Sequence, residues 1–177
     1  MILQKELDLI KHEGIKKGVT DLVTEYEDWY KTYPPSMSGK FHKNENTMEK
    51  HIIRTVWFSK ELSKEFDLCS LDNDILIASA ILHDIGAAHI SKEGKHPEGK
   101  YYPETGWTRI GNPEDHPLIS GAVVRRERFP EADVISRCVE RHMSHWYKKC
   151  PQPESLLERL LCIADYMASR DEIILNV

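Results

Sequence analysis

Residues 78–90, "ASAILHDIGAAHI", decide how this chain is read. The stretch begins as an apolar helix, then sets His83 beside Asp84, with Gly86 two residues on. A core helix that ends in an imidazole and a carboxylate has two explanations: a polar helix terminus or a metal site. The doublet gains weight only if other ligand-type residues occupy core-facing positions elsewhere in the chain.

Helical periodicity dominates around it. Leu3, Leu7, Ile10, Val19, Leu22, Val23, Tyr26 and Tyr30 mark residues 3–30 as helical, and Gly14 and Gly18 are expected to break or bend that stretch into two helices. "KTYPPSMSGK" (31–40) reads as a loop. A helix should start near Asn46, with Glu49 as its capping-box partner, and carry Ile52, Ile53, Val56, Trp57, Leu62 and Phe66. The "SLDND" cap predicts a helix over about 74–84. Glycines and prolines make 88–115 a long irregular insertion, with room for a short hairpin around "ETGW". Helices should follow over about 117–129, 132–148 and 154–171. The fold class is all-α.

Composition narrows the function. The 177 residues suit one core, divided here into an N-terminal helical segment and loop (1–45) packed on a unit spanning 46–177. A net charge of −5 argues against a general nucleic-acid or anionic-membrane binder. No apolar run is long enough to span a membrane. The N-terminus is too acidic and too interrupted for a signal peptide. The four cysteines show no C-x-x-C spacing, and Cys138 and Cys162 sit in apolar helical patterns. A reducing cytoplasm is the expected location.

Ligand-type residues do recur on core-facing positions. His51 lies at the edge of an apolar stripe. Ile135, Cys138, Val139, His142 and Trp146 share one helical face, so His142 stands where a core residue would. Asp165 interrupts the apolar series Leu157, Leu161, Ala168. A buried carboxylate there needs a cation or strong donors. His116 enters a helix just before Pro117. One such residue is ordinarily structural; five segments each carrying one point to a shared site. Imidazole and carboxylate suit divalent Fe, Mn, Zn, Co or Ni. Four ligands hold one ion, and six with a bridging carboxylate hold two.

These residues resemble the HD-domain superfamily of metal-dependent phosphohydrolases over roughly residues 46–172. "HIIRTVWFSKEL" is similar to the family's first-histidine helix, "ILHDIG" to its defining doublet, and "IADYMASR" to its closing segment. The resemblance implies a helical bundle with His51, His83, Asp84 and Asp165 as metal ligands. "HPLISGAVV" and "ERHMSHW" resemble the corresponding helices of dinuclear members. They add His116 and His142, with Asp84 as the bridge between two ions. The signatures of the HD-GYP cyclic dinucleotide phosphodiesterases are absent. "ADYMASRD" resembles the ending of the HD-type diadenosine tetraphosphate hydrolases, with the arginine displaced by one.

Two metals would neutralise phosphate oxygens and activate water, with Asp84 holding both. Arg54, one helical turn after His51, can reach the metal mouth. His145 is a candidate general acid. Lys92, Lys95, Lys100 and Arg109 on the insertion are candidate phosphate contacts. Tyr101, Tyr102, Trp107 and Trp146 could stack a base. Of the residues after Asp165, Ser169 stays on its face and Arg170 does not. The expected activity is hydrolysis of a phosphate ester or anhydride in a nucleotide or similar small substrate. The alternatives are an HD-type mixed-valent di-iron oxygenase acting on a polyol or phosphonate, and a non-catalytic nucleotide sensor. The stripe on residues 2–30 could also build a homodimer.

Overall fold

A computed structural model describes residues 1–36 and 47–170. Its organising element is α5 (Ser70–Leu82), in which every residue from 74 to 82 is buried. A helix that is apolar all round belongs in the middle of a core. Each fully buried Ile or Leu there contributes about 1.5–3 kcal/mol relative to exposure. Around α5 pack α2 (Glu13–Glu25), α4 (Met48–Glu65), α7 (Ala132–Arg141) and α8 (Leu156–Ala168). The short helices α1 (Gln4–Leu7) and α3 (Glu27–Thr32) complete the N-terminal segment. α6 (His116–Arg126) packs on α7 and on the 3₁₀ turn Ile85–Ile90. Leu7, Ile15, Leu22 and Tyr30 share one core cluster with Ile52, Leu76 and Ile81.

The N-terminal break falls at residues 8–12, not at the glycines. Asp74, buried in α5, accepts from the backbone N–H groups of Lys11 (3.0 Å) and His12 (2.7 Å), which fixes the turn there. Gly14 and Gly18 lie inside α2 because a Cβ at either would collide with Pro130 or Phe129. They serve close packing. α4 begins at Met48 after Thr47; Asn46 and residues 37–40 of the expected loop lie outside the described residues. α5 starts four residues earlier than expected, capped by the Cys69 sulfur at 3.5 Å from Asp72 N. α7 stops at Arg141, seven residues short of the expected end. The Arg141 carbonyl accepts instead from Ser144 N and from Cys162 Sγ, and the chain continues in turns to Cys150.

The insertion is more ordered than its composition suggests. Strands β1 (Ser91–Glu93), β2 (Lys100–Tyr102) and β3 (Trp107–Arg109) form an antiparallel sheet with β3 in the centre. The expected hairpin around "ETGW" is β2–β3, turned at Gly106, whose φ of 76° favours glycine. Thr108, buried in mid-strand, donates to Gly94 O at 2.5 Å and accepts from His96 N at 3.1 Å. Trp107 packs edge-on against Tyr33 with ring centroids 5.0 Å apart. The Thr108 bonds hold the insertion together, and the Trp107–Tyr33 contact docks it on the helical part.

Candidate metal centre

Six side chains from five segments meet at the C-terminal end of α5. His51 belongs to the buried stripe Met48, His51, Ile52, Thr55, Val56, Ser59 of α4, so it sits within the stripe and not at its edge. His83 and Asp84 follow the last residue of α5. His116 opens α6 and His142 closes α7. Asp165 lies on α8 beside Leu161 and Ala168, as the spacing predicts. His51, His83 and His142 are each no more than 2% exposed.

Backbone carbonyls set the rings. Nδ1 of His83 lies 2.9 Å from Ala80 O, Nδ1 of His116 2.6 Å from Pro113 O, and Nδ1 of His142 2.6 Å from Val139 O. A carbonyl only accepts, so each Nδ1 carries a proton and each neutral ring turns a lone pair inward at Nε2. The inward ring nitrogens face one another. His51 and His83 Nε2 are 3.2 Å apart, and His116 and His142 Nε2 are 3.3 Å apart. The carboxylate of Asp84 divides between the two pairs. Its Oδ1 is 3.0 Å from His116 and 3.4 Å from His142. Its Oδ2 is 3.4 Å from His83 and 3.8 Å from His51. Asp165 Oδ1 joins the second pair, 3.1 Å from His51 and 3.6 Å from His83.

Convergent acceptors need a positive charge between them. Metal–nitrogen bonds of about 2.1 Å meeting at roughly 100° place two nitrogens about 3.2 Å apart, so the spacing of each histidine pair is compatible with a bound metal. The electrostatics point the same way. Burial opposes charge on Asp84, yet chiefly the positive charge on a protonated His83 holds its carboxyl well below the usual range. Burial is likewise outweighed at Asp165, by His51 and His83. Burial disfavours a proton on His83, but Asp84 and Asp165 overcome it and raise His83 well above its ordinary value. His142 is kept neutral chiefly by burial. Without a metal, a proton on His83 is the counter-charge of two buried carboxylates, and a divalent ion can replace it.

A cavity of about 390 Å³ opens over His51, Asp84, His116 and Asp165. Of the other expected site residues, Arg109, Trp146 and Ser169 line it. Arg54 does not. Its Nε donates to Ala168 O at 3.1 Å and its Nη2 to Arg170 O at 3.0 Å, so it ties down the end of α8. His145 is exposed and lines a separate groove with Cys162 and Ile163, because the end of α7 changes the register of everything after His142. Lys92 is 3.7 Å from Glu98, and Lys95 is exposed. Lys100 lies outside the cavity lining, over the ring of Tyr102. Trp107 is buried against Tyr33, which removes it as a stacking surface. The sequence reading missed Tyr33 and Tyr147, which both line the cavity. Tyr147 stands edge-on to His116 at 6.1 Å, and burial raises its phenol above the ordinary value. Burial pushes Tyr33 up to about 12. A continuous helix over 132–148 and a loop over 31–40 give neither tyrosine a place in a site, so no local signal marks them.

A family model described as HD domain matches residues 48–170. The chain belongs to the HD domain family. HD domains form a superfamily of metal-dependent hydrolases that bind divalent metals, and the His/Asp cluster of this HD domain is compatible with such a site. No curated protein and no solved structure matches the chain. Among the described residues of this HD protein, no helix is long and apolar enough to cross a membrane.

Proposed function

We propose that this protein is a metal-dependent phosphohydrolase that cleaves a phosphate ester or anhydride bond of a nucleotide or similar small phosphorylated compound. One observation carries the reading: the two oxygens of Asp84 face two different histidine pairs. A carboxylate so divided suits a bridge between two ions, one held by His51, His83 and Asp165, the other by His116 and His142. Bound divalent metals would supply charge neutralisation of the phosphoryl oxygens and a water acidic enough to attack near neutral pH.

The chain's own residues do the rest. Asp84 fixes the separation of the two halves. The carbonyls of Ala80, Pro113 and Val139 hold three imidazoles at fixed angles, which limits reorganisation on binding. Arg109 brings a positive charge to a cavity whose lining also holds the carboxylates of Asp84 and Asp165. Trp146, stacked on Tyr166 at 5.9 Å, offers a flat surface at the mouth for a base or other ring. The cavity volume and the net charge of −5 both favour a small substrate over a polymer. Four free cysteines fit a reducing, cytoplasmic location.

Protein purified without chelator should carry transition metal and release phosphate or a nucleoside phosphate from members of a panel of nucleotides and phosphate monoesters. Oxygen uptake is followed in parallel. Oxygen consumption with a polyol or phosphonate, and no hydrolysis, would overturn the hydrolase reading in favour of an oxygenase.

A further inference from the structure

Lys100 and Arg109 are directly opposed on neighbouring strands of the insertion sheet. Side chains at such positions have Cβ atoms about 4.5–5.5 Å apart, and like charges there destabilise the pair. Both heads lie over one ring, that of Tyr102, with Lys100 Nζ at 5.0 Å and Arg109 Cζ at 5.4 Å from its centroid. Among the described residues neither head has an ion pair. Lys92 in the same sheet does have one, with Glu98. Repulsion without a counter-ion is what an anion site looks like before its anion arrives.

Arg109 is also the better placed of the two to be rigid. It is the last residue of the central strand, paired with Ser91 on one side and Lys100 on the other. Trp107 and Thr108 before it are buried. A Cβ at Gly99 would collide with the Arg109 carbonyl, so the neighbouring chain is drawn close. Arg109 is therefore a pre-positioned fork, and it lines the same cavity as Asp84 and His116.

We infer that Lys100 and Arg109 form an anion site at the rim of the metal cavity for a second phosphoryl group of the substrate, one that is not cleaved. This rests on the phosphohydrolase reading for the identity of the cleaved group. Two positive charges match a phosphoryl dianion better than a singly charged carboxylate. The substrate class this defines is compounds with two or more phosphoryl groups: bisphosphates or nucleoside polyphosphates.

The test uses the metal-loaded full chain and two non-hydrolysable probes, methylphosphonate with one phosphoryl-like group and methylenediphosphonate with two. Affinities are measured by calorimetry for the wild type, Lys100→Gln, Arg109→Gln and Arg109→Lys. Loss of one charged contact should cut the preference for the two-group probe by about tenfold in each Gln variant. Metal content should stay at wild-type levels in every variant, affinity for methylphosphonate should stay so in Lys100→Gln, and Arg109→Lys should recover part of the preference. The metals are the same in every variant, so chelation by the diphosphonate cannot produce the difference. Lys100 is exposed, so its Gln variant tests the site even if substitution at Arg109 disturbs the sheet. An unchanged preference in Lys100→Gln and Arg109→Gln would overturn the inference. Hydrolysis that persists alongside such a result would leave the phosphohydrolase reading intact, and a lost preference without any hydrolysis would do the reverse.

Discussion

Nε2 of His116 lies 3.0 Å from Oδ1 of Asp84, although α6 and the end of α5 are joined by the whole insertion. Gly86 makes the approach possible. A Cβ at this position would strike the His116 carbonyl and the Ser120 backbone nitrogen, while its own N–H donates to Ser120 Oγ at 2.8 Å. The glycine after the His-Asp doublet lets α6 approach.

Gly86→Ala should therefore push the start of α6 away from Asp84. Overpacking against backbone costs about 1–3 kcal/mol. The melting temperature should fall, and the weaker metal equivalent should be lost first. Metal analysis after dialysis, with a thermal melt, checks both. Wild-type metal content in a stable Gly86→Ala protein would mean that α6 need not sit so close.

Glu158 gives a pH dependence away from the candidate metal centre. It is buried at the start of α8 and accepts from Glu154 N (2.6 Å), Ser155 N (3.1 Å) and Arg141 Nη1 (2.9 Å). Burial would raise its carboxyl, but these donors outweigh it and hold it below the ordinary value. A depressed carboxylate stabilises the fold above its unfolded pKa of about 4.3, and this is lost as pH falls through the folded value. Glu158→Gln should cost about 1–3 kcal/mol near pH 7. The gap to wild type should close as denaturation curves are taken below pH 4.3 or so. A gap that widens on acidification would contradict the assignment.

Arg54 should behave as a structural tie. Arg54→Ala removes two donors from the carbonyls of Ala168 and Arg170. Thermal stability should drop, while KM shifts by no more than about twofold. A rise in KM at unchanged stability would return Arg54 to the substrate site.

Metal should stabilise the fold, because the site's buried carboxylates and inward lone pairs have no better counter-charge. At metal concentrations about 100-fold above Kd, linkage gives about 2.7 kcal/mol. Melts with and without chelator read this directly, and equal melting temperatures would contradict it.

Much of this was legible in the sequence. Periodicity alone put His142 and Asp165 on apolar faces, and the order His51, His83-Asp84, Asp165 carried the family. The resemblance also implied Asp84 as the bridge, though no local pattern encodes how α6 docks beside it. Two things were not legible. The stop of α7 at Arg141 depends on a carbonyl taken by Cys162, twenty-one residues away. It moved His145 out of the site and Tyr147 into it. The roles of Gly14 and Gly18 depend on Pro130 and Phe129, whose contact with α2 is tertiary. In each case a long-range contact overrode a local expectation.

The central claim is that Asp84 serves two metal positions, and metal stoichiometry tests it most directly. Equilibrium titration with one divalent transition metal should give about two equivalents for the wild type and about one for His142→Ala. Asp84→Ala should weaken both. A wild type that saturates at a single equivalent, unaffected by His142→Ala, would contradict the account.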